Sequence, residues 1–307
     1  MVDDSRTICI GRYLFDLPSN ARVSFGTAWI AGVDIRTVGA PEAAENRFAA
    51  REQELRREVG QAGAPTLVSV EPIEHDQLRG IVFGYGKKSI HWYENGQKVT
   101  AGGMTMEAIL HSREAEYVLR GELDEKYLHH VSDISRRLTP RVAGEVPAGP
   151  GFCIDRGLVG EPSLPDERES VTLFFGFPQQ PGLEGKFATT MPAQAPEPLL
   201  SRMGRKEGIA SAGRARITTL REGEKTVNGI AGEEVLESYA ERDGTRTHLF
   251  SWEATVDRAP GNAPTLSLEL EFNGEGTASS LSEQDALLLW DAILESIQPR
   301  PGAYQSR

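Results

Sequence analysis

Apolar and polar positions along the chain follow two periods, and each period predicts a kind of element. From Cys9 to Leu17 the residues Cys9, Gly11, Tyr13, Phe15 and Leu17 share one side of an extended chain, which predicts a strand ended by Pro18. Over 42–59 the period lengthens: Pro41 can open a helix, Phe48, Leu55 and Val59 recur on one helical face, and Gly60 is placed to end it. Short β-type runs follow at 66–71, 80–83, 89–94 and 115–122, with Asn95-Gly96 in the form of a tight hairpin turn. A closing helix is predicted from Asp124, which can accept from exposed N–H groups, through the stripe Leu128, Val131, Ile134 and Leu138, to Pro140.

The second half repeats this plan. A strand is expected at 171–177, a weaker helix at 198–208, strands at 214–220 and 233–240, and a turn at Asp243-Gly244. The runs 247–256 and 265–272 alternate strongly, Leu266, Leu268, Leu270 and Phe272 against Ser267, Glu269 and Glu271, as half-buried strands do. Ser282 with Asp285 three residues on reads as a helix cap, and Leu287, Trp290, Leu294 and Ile297 supply the apolar stripe behind it. Each half therefore reads as α+β, an antiparallel sheet covered on one face by helices.

Short identities support a duplication. Cys9-Ile10-Gly11-Arg12-Tyr13-Leu14 matches Cys153-Ile154-Asp155-Arg156-Gly157-Leu158, Trp92 matches Trp252, and Leu138, Pro140 and Arg141 match Ile297, Pro299 and Arg300. The expected domains are two related units, 1–145 and 146–307, joined through the Gly- and Pro-rich stretch 142–151.

A chain of 307 residues with 39% hydrophobic and 25% charged residues can fill two cores and is not disordered. Its net charge of −12 argues against nucleic acid or an anionic membrane as a main partner and favours a basic one. The most apolar stretch, Ala286 to Trp290, is too short to span a bilayer, so no transmembrane segment is expected. Met1-Val2-Asp3-Asp4 has no basic or apolar leader character, so the protein is expected to be cytosolic or to have had an export signal removed ahead of Val2. Cys9 and Cys153 lack metal-ligand spacing; they are either free buried thiols or one disulfide.

Reaction chemistry is nearly absent from the pattern. Gly208-Ile209-Ala210-Ser211-Ala212-Gly213 misses the spacing of a serine-hydrolase elbow, and Gly80 to Gly86 before Lys87-Lys88 is one residue too long for a phosphate loop, with Gly84-Tyr85-Gly86 reading as a hairpin turn. The histidines His75, His91, His111, His129, His130 and His248 form no compact ligand motif, and no cofactor or metal is expected. His111 with Glu114 is read as polar loop, His129 and His130 as surface, and Trp92 and Trp252 as core rather than ligand platforms. Arg12 and Arg156 are read as a repeated structural pair, with Asp16 as a partner for Arg12. Charge separates the halves: residues 1–146 hold 18 basic and 21 acidic side chains, and 147–307 hold 15 and 24. Asp166, Glu167, Glu169, Glu241 and Asp243 stand in predicted loops or turns, where they could reach a partner protein.

The run Cys9-Ile10-Gly11-Arg12-Tyr13-Leu14-Phe15-Asp16-Leu17-Pro18 resembles the opening strand of type VI secretion immunity proteins that antagonise antibacterial phospholipase effectors, and Gly151-Phe152-Cys153-Ile154-Asp155 resembles the start of their C-terminal immunity domain. The resemblance implies a non-catalytic, two-domain periplasmic protein that grips a cognate lipase effector as a two-lobed clamp and keeps it from phospholipid. It carries over no contact residues. An exported location would favour a Cys9–Cys153 bridge. The alternatives are a periplasmic protein binding a small ligand or lipid in an apolar pocket lined by residues such as Trp92 and Trp252, and a hydrolase with an unrecognised site.

Overall fold

The computed structural model describes residues 4–39, 44–60, 63–75, 77–94, 97–164, 167–203, 216–240, 246–256, 264–272 and 281–304. Along the chain these form β1 (Ser5–Ile10), β2 (Tyr13–Pro18), β3 (Arg22–Phe25), β4 (Ala28–Ile30), β5 (Val33–Val38), α1 (Ala44–Arg57), β6 (Leu67–His75), β7 (Leu78–Glu94), β8 (Gln97–His111) and β9 (Glu116–Asp124). A 3-10 turn (Glu125–Tyr127) leads to α2 (His130–Arg137) and β10 (Leu138–Pro140). Then come β11 (Gly151–Ile154), β12 (Gly157–Gly160), β13 (Glu169–Phe177), β14 (Gln180–Thr190), a helical turn at 199–203, β15 (Arg216–Glu224), β16 (Gly232–Ala240), β17 (Arg246–Thr255), β18 (Thr265–Phe272), α3 (Glu283–Glu295) and β19 (Gln298–Pro299). The protein is mostly antiparallel sheet with few helices.

Packing divides the chain into two compact units, and the division is not a single cut at 145/146. One unit combines Met1–Gly26 with Arg168–Ala303, and the other combines Thr27–Glu167 with Tyr304–Arg307. The cause is an exchange of strands. Cys9–Leu14 is not one strand but the hairpin β1–β2, with Cys9 opposite Leu14 and a turn at Gly11-Arg12. Gly11 holds φ 55°, which the interior of a strand does not adopt and which costs glycine little. Its repeat, β11–β12, has the same register, Cys153 opposite Leu158. Each hairpin takes its third strand from the far end of the other repeat: β2 pairs with β19, and β12 pairs with β10. The matching arginines confirm the equivalence, since the Arg300 N–H donates to Arg12 O at 2.9 Å and the Arg141 N–H to Arg156 O at 2.8 Å.

In the first unit β15, β16, β17, β18, β14 and β13 form an antiparallel meander with β3 added beside β13. Alternation in β17 and β18 directs Phe250, Trp252, Leu266, Leu268, Leu270 and Phe272 inward. β14 escapes a hydropathy reading because Gly185 interrupts its inward row of Leu183, Phe187 and Thr189. That glycine is required: a Cβ there would come 2.3 Å from the Phe175 ring and 2.8 Å from Leu270. Helix α3 begins as predicted, Ser282 accepting from the Asp285 N–H at 3.1 Å, and seats Trp290 edge-on to Phe250.

In the second unit the order is β4, β5, β9, β8, β7, β6, antiparallel throughout. Phe48 and Leu55 of α1 pack on Phe83, Tyr85 and Ile109 as predicted, whereas Val59, the third residue of the expected face, lies beyond the end of the helix and is exposed. The expected helix from Asp124 to Pro140 is shorter than its pattern: Asp124 makes no side-chain cap, a 3-10 turn intervenes, and Leu138 is already extended in β10. The predicted turn at Asp243-Gly244 and most of the helix at 198–208 lie outside the described residues.

Candidate functional site

The acidic side chains expected to reach a partner divide into two groups. Glu167 and Glu169 are buried inside the chain. Glu169 lies on strand β13, where its carboxylate takes two hydrogen bonds from Arg12, Nε to Oε2 at 2.8 Å and Nη2 to Oε1 at 2.6 Å, both side chains nearly sealed from water. Glu167 accepts from Arg137 Nη2 at 2.6 Å and from the Leu164 N–H at 2.9 Å. Each forms a short-range ion pair that a run of alternating charges does not reveal, because both cationic partners lie far away in sequence. Asp166, Glu241 and Asp243 lie outside the described residues.

The repeated arginines are structural, with changed partners. Arg12 pairs with Glu169, not with Asp16, whose carboxylate instead accepts from Thr7 Oγ1. Arg12 also donates to Ala303 O at 2.8 Å. Arg156 donates to Glu114 O, and buried Arg141 donates to Gly157 O and Ile154 O, fastening the β11–β12 hairpin. Burial pulls the Arg141 guanidinium below the ordinary arginine range. Cys9 and Cys153 are both buried and both disulfide-bonded.

None of the histidines meets a nucleophile in a shielded pocket among the described residues. His75 contacts Ser135 O, His130 contacts Ala31 O, His248 faces Glu283, His129 faces Asp133 on the same helix, and exposed His91 contacts Thr100 Oγ1. Glu114 is not the partner of His111; the residue opposite His111 is Glu116, fully buried and ion-paired to Arg47. Burial raises the Glu116 carboxyl, against the pull of Arg47 and His111. No group of three or more His, Cys, Asp or Glu among the described residues could hold a metal. Ser211 and its glycines lie outside the described residues, and Gly80 to Gly86 is strand, with a left-handed bend only at Gly86. Trp252 is core, its indole donating to Lys225 O at 3.0 Å; the side chain of Trp92 lies outside the described residues.

The sequence reading passed over one polar cluster. Glu107 accepts from Arg51 Nε at 2.7 Å and from the Tyr85 hydroxyl at 2.8 Å, tying α1 to the sheet. Burial pushes Glu107 up, but the bonds from Arg51 and Tyr85 outweigh it and hold the carboxyl below its ordinary value. Burial, aided by the bond to Glu107, pushes the Tyr85 phenol up to about 12. The signal was weak because Arg51 and Glu107 are separated by 56 positions. A cavity of about 360 Å³ in the first unit is lined by Glu197, Glu224, Glu233 and Glu253 around Leu199, but Glu233 accepts from the Leu200 N–H and Glu253 from Arg202.

These ion pairs and hydrogen bonds fix the scaffold of each unit, and comparison with known proteins supplies its family. The family description Tle cognate immunity protein 4 C-terminal domain matches residues 145–302, and the corresponding N-terminal domain matches residues 6–101. The chain belongs to the Tle cognate immunity protein 4 family. The C-terminal match begins at residue 145 and the N-terminal match ends at residue 101, whereas the compact units interleave along the chain. The apo structure of the immunity protein TplEi of the type VI secretion system of Pseudomonas aeruginosa is similar with TM-score 0.78 at 25% identity, covering 97% of this chain and 97% of that one. TplEi complexed with an "L" peptide gives TM-score 0.75 at 25% identity, covering 98% and 100%. The Tle4–Tli4 complex shares the fold, with TM-score 0.78 at 24% identity over 98% and 99% of the two chains. No curated protein sequence matches the chain.

Proposed function

We propose that this immunity protein binds and neutralises a cognate lipase effector of type VI secretion, without performing a reaction itself, and protects the producing cell from its own toxin. The observation that carries the reading is the pair of family matches over 6–101 and 145–302 on a chain whose described residues bring together no nucleophile, base and metal. Buried ion pairs such as Arg12–Glu169 and Arg137–Glu167 make each unit a stiff scaffold, which lowers the ordering cost of docking. Family membership and the disulfide-bonded state of both cysteines support a periplasmic location, since such bonds persist in oxidising compartments.

The acidic residues Asp166, Glu241 and Asp243 add long-range attraction for a basic surface of the effector. Co-expression with the neighbouring gene and purification through one tag tests the reading. A lipase should co-purify, with its phospholipid hydrolysis suppressed in the complex and restored on separation. Recovery of no lipase, or of a fully active one, overturns it.

A further inference from the structure

Strands β7 and β8 are far longer than their neighbours. Partnership with β6 ends at Tyr85, opposite Leu67, and partnership with β9 ends at Gly103, opposite Asp124. Beyond those points, among the described residues, β7 and β8 pair only with each other, from Lys88 opposite Gly103 to Glu94 opposite Gln97. Seven residues on each side at about 3.3 Å per residue give a two-stranded ribbon of roughly 23 Å. An isolated two-stranded ribbon is marginal in water, and three strands are the usual minimum for stability. Among the described residues no further strand pairs along either outer edge of the ribbon, and such an edge is a template for another strand.

The root of the ribbon is jointed. The register slips between Tyr85 and Lys88, Gly86 holds φ 63°, and just beyond the slip Gly103 and Gly102 stand opposite Lys88 and Ser89. Ile90 opposes Ala101 and Trp92 opposes Val99, an apolar set; His91 opposes Thr100 and Tyr93 opposes Lys98, a polar and aromatic set. Tyr93 is 75% exposed. Lys87 and Lys88 are engaged at the root by Glu125 and Glu122, so they do not give the ribbon a net basic reach.

We infer that the ribbon 88–103 is a docking arm, and that its occupant is an extended segment of the effector, with alternating apolar and polar residues, added to one edge as a third strand. This rests on the effector-binding reading above. The partner's alternation would continue the two faces of the ribbon, and its main chain would satisfy the free edge.

The test uses the full chain and the purified cognate lipase. Because Lys88 and Gly103 are directly opposed, residues 89–102 can be replaced by Asn-Gly to close a two-residue turn without touching the six-stranded sheet. The shortened variant should keep its thermal midpoint and dissociate from the lipase at least tenfold faster. In the intact complex, amide exchange over 88–103 should slow at least tenfold, with the protection concentrated on one of the two strands. Lipase binding by the parent with unchanged dissociation of the shortened variant and no protection overturns the arm while leaving the effector reading intact. Protection absent despite faster dissociation means side-chain contact only and overturns strand addition. Failure of the parent to bind the lipase overturns the effector reading, and the arm with it. Protection of the ribbon by anionic phospholipid vesicles, and not by lipase, also overturns the proposed occupant. Should the shortened variant misfold, exchange in the intact complex decides alone.

Discussion

Glu169→Gln probes the buried ion pair that fastens the opening hairpin to β13. The substitution keeps the side chain's shape and one acceptor oxygen for Arg12, which also donates to Ala303 O, but removes the carboxylate charge that faces the guanidinium. Both side chains of the pair are at most 5% exposed, so water cannot replace the lost partner. Breaking a sealed pair by removing one member costs about 3–5 kcal/mol. With a urea slope of about 2 kcal/mol per M, a loss of about 3 kcal/mol lowers the midpoint by about 1.5 M. Urea unfolding followed by tryptophan fluorescence reads this directly, because Trp252 and Trp290 are fully buried in the same unit. The double variant Arg12→Met/Glu169→Leu should recover most of the loss, since an apolar pair carries no desolvation cost. A midpoint for Glu169→Gln that corresponds to less than about 0.5 kcal/mol of destabilisation would place the pair in the class of surface salt bridges and refute the argument.

Four further outcomes follow from the geometry. Glu107→Gln and Glu116→Gln should act in opposite directions at pH 7. Glu107 is held below its ordinary 4.5, so its contribution is present above that value and lost as pH falls through the lower folded value; its removal destabilises the neutral protein and flattens the acid limb. Glu116 is raised, so its contribution is present below 4.5 and lost as pH rises through the folded value; its amide should match or exceed the parent at pH 7, and thermal midpoints at pH 4 and 7 check both signs. Gly185→Ala should cost about 1–3 kcal/mol through collision with Phe175, read by calorimetry. Ser282→Ala should cost about 1 kcal/mol through loss of the α3 cap, visible as a lower urea midpoint. Reversing Asp166, Glu241 and Asp243 together should slow association with the effector and reduce its salt dependence, and surface plasmon resonance with unchanged kinetics would discard that contribution.

Strongly patterned elements were legible in the sequence. Strand β18 coincides with its alternating run, α1 buries the predicted Phe48 and Leu55, and α3 starts at its predicted cap. Residues 22–38 and β14 were not foreseen, because short strands and an inward glycine erase a period of two. The β1–β2 turn was missed for a related reason: Gly11 keeps the alternation of its neighbours while its backbone reverses the chain. The charged loops misled because a pattern in sequence shows that Glu167 and Glu169 are acidic but not that Arg137 and Arg12 return to meet them. Even the repeat, whose hairpin and closing-strand landmarks are matched in the structure, did not disclose the exchange of partners, since both halves supply equivalent strands and composition is indifferent to which one is used.

That exchange has a bearing on biogenesis. The β1–β2 hairpin waits for β19, whose Gln298 pairs with Leu14 across 284 positions of chain, before its small sheet is complete. One unit of the protein therefore cannot close co-translationally, and so long a loop slows maturation. A polypeptide with such wiring stays threadable until its last strand has been made, and only then does that part of the scaffold set.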